Sequence, residues 1–320
     1  MIGAPASPVT APDLSAYARL FAELQDLKRQ QPAHLSRSIA TDLFRAAWAG
    51  LLAGEPPAAV ARRTALRALT NVLFPGCDAT FWPRSGLRPQ RAAAILTDAL
   101  RTTAGCALTP ATLHELERAL PDLVAVYYDS PAEGTDPPLP AAVDVLCRQP
   151  RAGATRPGYP RLLLLPPEMH SDHCLLTAVY GYLLAEPYGA DAARVFVCAL
   201  AHHLHNAVLP DCGFSGEMCL GPDLEAVIDH CRGVALAELP PALAERVRRE
   251  LRFHDTIDSP EGRAESAADV LDRVLDVRWR TRAAGVTDAD ILGDLDLVHP
   301  GPLRNFQDDL LRNTGLWQLS

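Results

Sequence analysis

Lysine occurs once in this chain of 320 residues, at Lys28, although Lys and Arg together number 30. There is no block of basic residues, and the formal net charge is −9. A protein that coats nucleic acid carries its positive charge as a patch or stripe, so that class is set aside. A small-molecule substrate is the expected partner, and the pattern sets no oligomeric state. Also missing is any apolar run near the roughly 20 residues that cross a bilayer, so no membrane association is expected. Met1 to Ala11 lacks the positive segment and apolar stretch of a secretory signal, and the expected location is cytoplasmic. The eight cysteines (Cys77, Cys106, Cys147, Cys174, Cys198, Cys212, Cys219 and Cys231) include no CxxC pair. Reduced, mostly buried thiols are the expectation. Cys212 and Cys219 flank a glycine-containing loop beside a histidine-rich stretch and are candidates for a redox or ligand role. No P-loop or glycine-rich phosphate cradle is present, and strand-like alternation is nearly absent.

What remains is helical periodicity. Leu14, Tyr17, Leu20, Phe21 and Leu24 recur at three- and four-residue spacing, as do Ile39, Leu43, Phe44, Ala47 and Trp48. Thr109-Pro110 and Ser259-Pro260-Glu261 each read as an N-cap followed by proline at the first helical position. The expected fold is all-α. A helical domain is expected over 12–126, a Pro/Gly-rich linker over 127–160, a second helical domain over 161–297, and a helical tail over 298–320 ending near Gly315. A short apolar patch, Val143 to Cys147, interrupts the linker, and Arg161 to Leu165 reads as a short extended segment.

Five of the ten histidines lie between His170 and His205. His173 opens the apolar run Leu175, Leu176, Val179, Leu183 and Leu184. His202 and His203 sit in another, from Val195 to Leu209. Imidazoles emerging from core-facing helices converge on an interior point, which suits a metal. On a helix, His203 is rotated by about 100° from His202, so both reach one ion only near a helix end. A carboxylate from a distant helix would complete the set, and Asp269 is the candidate. Three imidazoles and one carboxylate suit Mn, Fe, Co, Ni or Zn better than Mg or Ca. His34 and His114 read as ordinary surface or capping residues.

The ordered set Pro167-Glu168-Met169-His170-Ser171-Asp172-His173, Ala199-Leu200-Ala201-His202-His203 and Asp269-Val270-Leu271-Asp272 resembles the HD-domain superfamily of metal-dependent phosphohydrolases. It is nearest the branch containing 5′-deoxynucleotidase-like enzymes. The resemblance covers about 110 residues, roughly 167 to 277, and implies that the second domain is an HD-like metal-binding domain. It implies metal ligands at His173, His202, His203 and Asp269. His203 stands where the family has the Asp of its His-Asp pair, and a neutral imidazole does not bridge two ions as that Asp does. A mononuclear site is the simplest outcome. Asn206 falls where this branch has a Glu that helps activate water, and Asn is no base at neutral pH. His205, Asp211 or Glu217 would take that task, with Arg232 or Arg263 neutralising a phosphate. The implied activity is hydrolysis of a small phosphorylated metabolite or nucleotide. One alternative is a two-iron oxygenase of the same fold, with His230 and His254 as extra ligands. A second is a degenerate, non-catalytic domain that acts in binding.

Overall fold

The computed structural model describes residues 13–129, 138–153, 165–284 and 302–316. Among them the chain is all-α, and extended pairing is limited to one isolated bridge between Pro150 and Met169. The first five helices are α1 (Ser15–Leu24), α2 (Ile39–Leu52), α3 (Pro57–Leu73), α4 (Pro89–Ala104) and α5 (Pro110–Asp129). A short helix, α6 (Ala141–Leu146), leads to α7 (His170–Tyr188) and α8 (Ala192–Ala201). Then come α9 (Gly213–Leu220), α10 (Leu224–Leu236), α11 (Pro241–Glu250), α12 (Pro260–Ala284) and α13 (Pro302–Asn313). No helix among the described residues is long and apolar enough to cross a membrane.

The axis of the molecule is α7, in which nearly every residue is buried. Its sequence from His173 to Ala185 offers no continuous polar face, and a helix apolar on all sides belongs in a core. Helices α2, α3, α8 and α12 all pack against it. A Cβ on Gly181 would lie 2.6 Å from Val195 Cγ1, so glycine is what lets α7 and α8 cross closely. Gly189, at φ 67°, ends α7 in the left-handed region, and Asp191 caps α8 by accepting from the Ala193 and Arg194 N–H groups. The caps read from sequence are made: Thr109 Oγ1 accepts from Thr112 N–H, and Ser259 Oγ accepts from Gly262 N–H.

The packing does not divide near residue 126. Buried apolar side chains from Leu14 to Leu316 form one continuous core, because α2 and α3 lie directly on α7 and α8. The linker also carries more structure than its composition suggests. Ala142, Val143 and Leu146 of α6 are buried, and the segment after α6 runs along the start of α7. There Arg151 N–H donates to Glu168 O at 2.8 Å and His170 N–H donates to Gln149 O at 3.1 Å. Residues 130–137 and 154–164 lie outside the described residues, and with them most of the expected extended segment; Leu165 is exposed. The C-terminal helix α13 buries Leu310 and Leu311, and Gly315 follows it at φ 67°.

Candidate metal centre

Three structural elements deliver the candidate ligands. His170 and His173 occupy the first turn of α7, three residues apart on one face. His202 and His203 follow the last residue of α8, Ala201, and precede a 3-10 turn at Leu204–Ala207. The sequence reading had both within a helical run. Here the helix breaks at them, and their rings lie 4.2 Å apart, tilted by 50°. Asp269 and Asp272 project from α12, again three residues apart.

His173 Nε2 lies 3.1 Å from His202 Nε2 and 3.1 Å from Asp269 Oδ1, and His202 Nε2 lies 3.9 Å from the same oxygen. One ring nitrogen from each of His173, His202 and His203 falls within 4.8 Å of the others, a group that can hold a metal ion. His173 and His202 are buried, and His203 is partly exposed.

The far side of each ring explains its orientation. His173 Nδ1 lies 2.6 Å from Asp272 Oδ2, His202 Nδ1 lies 2.6 Å from Ala199 O, and His203 Nδ1 lies 2.7 Å from Asn206 Oδ1. Each partner is an acceptor, since Asn206 Nδ2 donates to Leu209 O. Each of the three rings therefore carries a hydrogen on Nδ1, which leaves Nε2 as the ring atom able to bind an ion. Asn206 thus orients a ring. Burial, and then the neighbouring imidazoles, hold His202 and His203 well below the usual histidine range. For Asp269 burial works against the charge, but Arg273, 2.9 Å from Oδ2, and His173 outweigh it and keep the carboxyl well below its usual range.

Behind His173 lies a layer of paired charge. Lys28 Nζ donates to Glu168 and, at 2.8 Å, to Asp272 Oδ2; Arg151 Nη1 donates to Glu168 Oε2 at 3.2 Å. Glu168, His173 and Asp272 also meet metal-ligand spacing, but the Lys28 ammonium already bonds both carboxylates. At the start of α7, Asp172 accepts from Ser38 Oγ, Thr41 Oγ1 and Met169 N–H, tying α7 to the first turn of α2. Burial, partly offset by these bonds, raises Asp172 to about 6.

The other candidates separate into two groups. Asp211 accepts from Ala152 N–H at 2.8 Å and Gly213 N–H at 2.9 Å, and its Oδ2 lies 3.5 Å from His170 Nε2. Glu217, on α9, is raised by burial and by the Asp211 charge. The His205 ring is 5.7 Å from that of His203, its Nδ1 has no hydrogen-bond partner, and burial with Arg232 lowers it to about 4. His170 is lowered to about 4 by burial and then by Arg151. Arg232 also bonds Asp229. The His170 and His205 rings lie 5.1 and 5.7 Å from that of His203, and Asp211 reaches the cluster through His170.

Arg263, His230 and His254 stand differently. Arg263 lies six residues before Asp269, about 9 Å along α12, and donates to Ile257 O. His230 is exposed on α10. The His254 ring is 5.1 Å from that of His202, but its Nδ1 bonds Glu265 and its Nε2 lies 3.3 Å from Asp255. Burial opposes its charge, and these two acids outweigh burial and raise it to about 9. His114 is exposed and His34 meets Asp78 at 3.3 Å, away from the cluster. No disulfide joins any of the eight cysteines; Cys106 and Cys219 are exposed, and neither Cys212 nor Cys219 joins a metal-ligand group.

Reading the sequence did not assign roles to Lys28, Gln149, Arg151 or Asp272. Asp272 carried a signal, since Asp269, Asp272 and Asp276 recur at helical spacing in an apolar helix. Comparison with family models, with curated proteins and with solved structures returned no match.

Proposed function

We propose that the chain is a metal-dependent hydrolase of a small phosphorylated metabolite or nucleotide. One divalent transition metal is held by His173, His202, His203 and Asp269. The observation that carries this reading is that one ring nitrogen from each of His173, His202 and His203 lies within 4.8 Å of the others, with Asp269 Oδ1 3.1 Å from His173 Nε2. Ligands about 2.0–2.1 Å from a common ion lie roughly 3 Å from one another, which the 3.1 Å between His173 Nε2 and His202 Nε2 matches. The donor set favours Mn, Fe, Co, Ni or Zn over Mg or Ca. Bound there, such an ion supplies Lewis acidity, lowering the pKa of water and polarising a phosphoryl oxygen.

The surrounding residues suit an anionic substrate. Three neutral imidazoles and one carboxylate leave a divalent centre with net positive charge, and Arg151 adds its own nearby. His203 marks the partly exposed side of the cluster. The candidates to accept a proton are Asp211, Glu217 and His205, whose Nδ1 has no hydrogen-bond partner. Arg232 is the phosphate-neutralising candidate, since Arg263 lies away from the cluster. A two-iron oxygenase is less well supported, because His230 is exposed and His254 is held by Glu265 and Asp255.

The test is metal content per chain, by elemental analysis of protein purified without chelator, anaerobically and in air. About one Mn, Co, Ni or Zn per chain, with phosphate release from phosphomonoesters or nucleotides that stops on chelation, is the expected result. Two irons per chain and O2 consumption would replace the hydrolase with the oxygenase. No metal, and none taken up on titration, would leave a binding domain without this chemistry.

A further inference from the structure

The charge layer behind His173 depends on a residue some 140 positions earlier in the chain. Lys28 closes the short 3-10 turn Gln25–Lys28, which follows α1 and packs its Gln25, Leu27 and Lys28 side chains inward. The side chains of Lys28 and Asp272 are 1% and 0% exposed, so both charges have left water entirely. Removing charge from water costs several kcal/mol per ion unless the geometry and hydrogen bonds are complete. Here they are. Asp272 Oδ1 accepts from Gln25 Nε2 at 2.7 Å, and Asp272 Oδ2 accepts both from Lys28 Nζ at 2.8 Å and from His173 Nδ1 at 2.6 Å.

We propose that Lys28 is a positioning residue of the metal site, acting through Asp272 to fix which nitrogen of His173 is free to bind an ion. The inference rests on the metal-binding reading above. An ammonium only donates, so Asp272 meets it as an acceptor. A carboxylate that only accepts can meet His173 only through a ring N–H. A hydrogen of His173 therefore lies on Nδ1, which leaves Nε2, 3.1 Å from both His202 Nε2 and Asp269 Oδ1, as the ring atom an ion can take. The same oxygen of Asp272 serves the ammonium and the imidazole, so the two are joined by a single atom. Glu168 supplies the second negative charge on Lys28, and Arg151 balances Glu168 from the segment before α7.

The residue type fits this role. Every other Lys/Arg position in the chain is arginine. A guanidinium is a planar fork that spreads its donors, whereas an ammonium is a compact charge with three donors, as a closed pocket between two carboxylates requires. Partners that orient metal-ligating histidines typically contribute 10–100-fold to metal affinity. Lys28 lies one bond further out than such a partner, with nothing but Asp272 between.

The single lysine makes the test direct. Protein labelled with 15N at lysine Nζ has one such resonance, and zinc is added to the metal-free full-length chain. The resonance is expected to move and to stop moving when zinc saturates. The variant Lys28→Met/Glu168→Gln removes one charge of each sign, and its zinc Kd is expected to rise about 10–100-fold with its melting temperature measured alongside. A role in folding alone lowers the melting temperature and leaves both zinc Kd and the wild-type resonance where they were; that pair of results overturns the proposal. Should the variant not fold, an unmoved wild-type resonance at zinc saturation overturns it by itself. Wild-type protein that takes up no zinc overturns the metal-binding reading, and this inference with it, which separates the two failures.

Discussion

The two sides of the His173 ring are built on opposite principles. On the Nδ1 side, Asp272, Lys28, Glu168 and Arg151 pair every charge with a partner, and Asp276 continues the pattern with Arg29 and Arg280. On the Nε2 side, ring nitrogens of His202 and His203 and a carboxylate oxygen of Asp269 crowd the ring instead. A buried polar atom without a partner is costly, and proteins rarely keep several together without a use. The paired side is a fixed base, and the unpaired side is where something is to be received.

The largest way to break the comparison is to remove a receiving group. His202→Ala and Asp269→Ala should each abolish metal retention after purification, read by elemental analysis; full occupancy in the Asp269 variant would end the ligand assignment. Next comes the base. Asp272→Asn keeps an acceptor for His173 but strips Lys28 of a buried partner, and losing one member of a buried pair costs about 3–5 kcal/mol. A urea midpoint equal to that of the wild type would show the layer to be dispensable.

A third prediction sharpens the contrast through pH, in the metal-free chain. His205 is lowered to about 4, below the roughly 6.5 of an unfolded chain. Between those values the unfolded state binds more protons at this ring, so His205 costs the native state stability as pH falls from about 6.5 to 4. Relative to wild type, His205→Gln should gain stability across that window and show no such gain from pH 7 to 8. His254 has the opposite sign: raised to about 9, its contribution is complete below pH 6.5 and is lost as pH rises through about 9. Denaturant midpoints of His205→Gln and His254→Gln against pH should therefore diverge. The smallest effect is expected from His114→Ala and His230→Ala, both exposed, which should leave metal content unchanged and alter stability by no more than about 0.5 kcal/mol.

Much of this was legible from residue patterns. Periodicity placed the helices and marked their apolar faces, cap chemistry located the starts of α5 and α12, and the histidine-rich stretch pointed to the group of His173, His202 and His203. Three things were not. The apolar run Val195 to Leu209 contains no glycine or proline to announce a break, so nothing local says that α8 stops at Ala201. An apolar face does not name the helix that will cover it, so the union of both halves in one core could not be read from either half. Lys28 and Arg151 lie far in sequence from the ring they support, and one sits in a stretch whose composition reads as linker. Long-range charge pairing leaves no period in a sequence.

Because α7 has almost no solvent face, its backbone amides should exchange hydrogen with solvent only when the whole core opens, and its protection should approach the global unfolding free energy. Past the break after α8, Val208 is exposed and Ala207 and Leu209 are partly so, and the amides of that turn should exchange through smaller, local openings. The slow wall carrying His173 would then be followed in the chain by a faster turn just beyond His203.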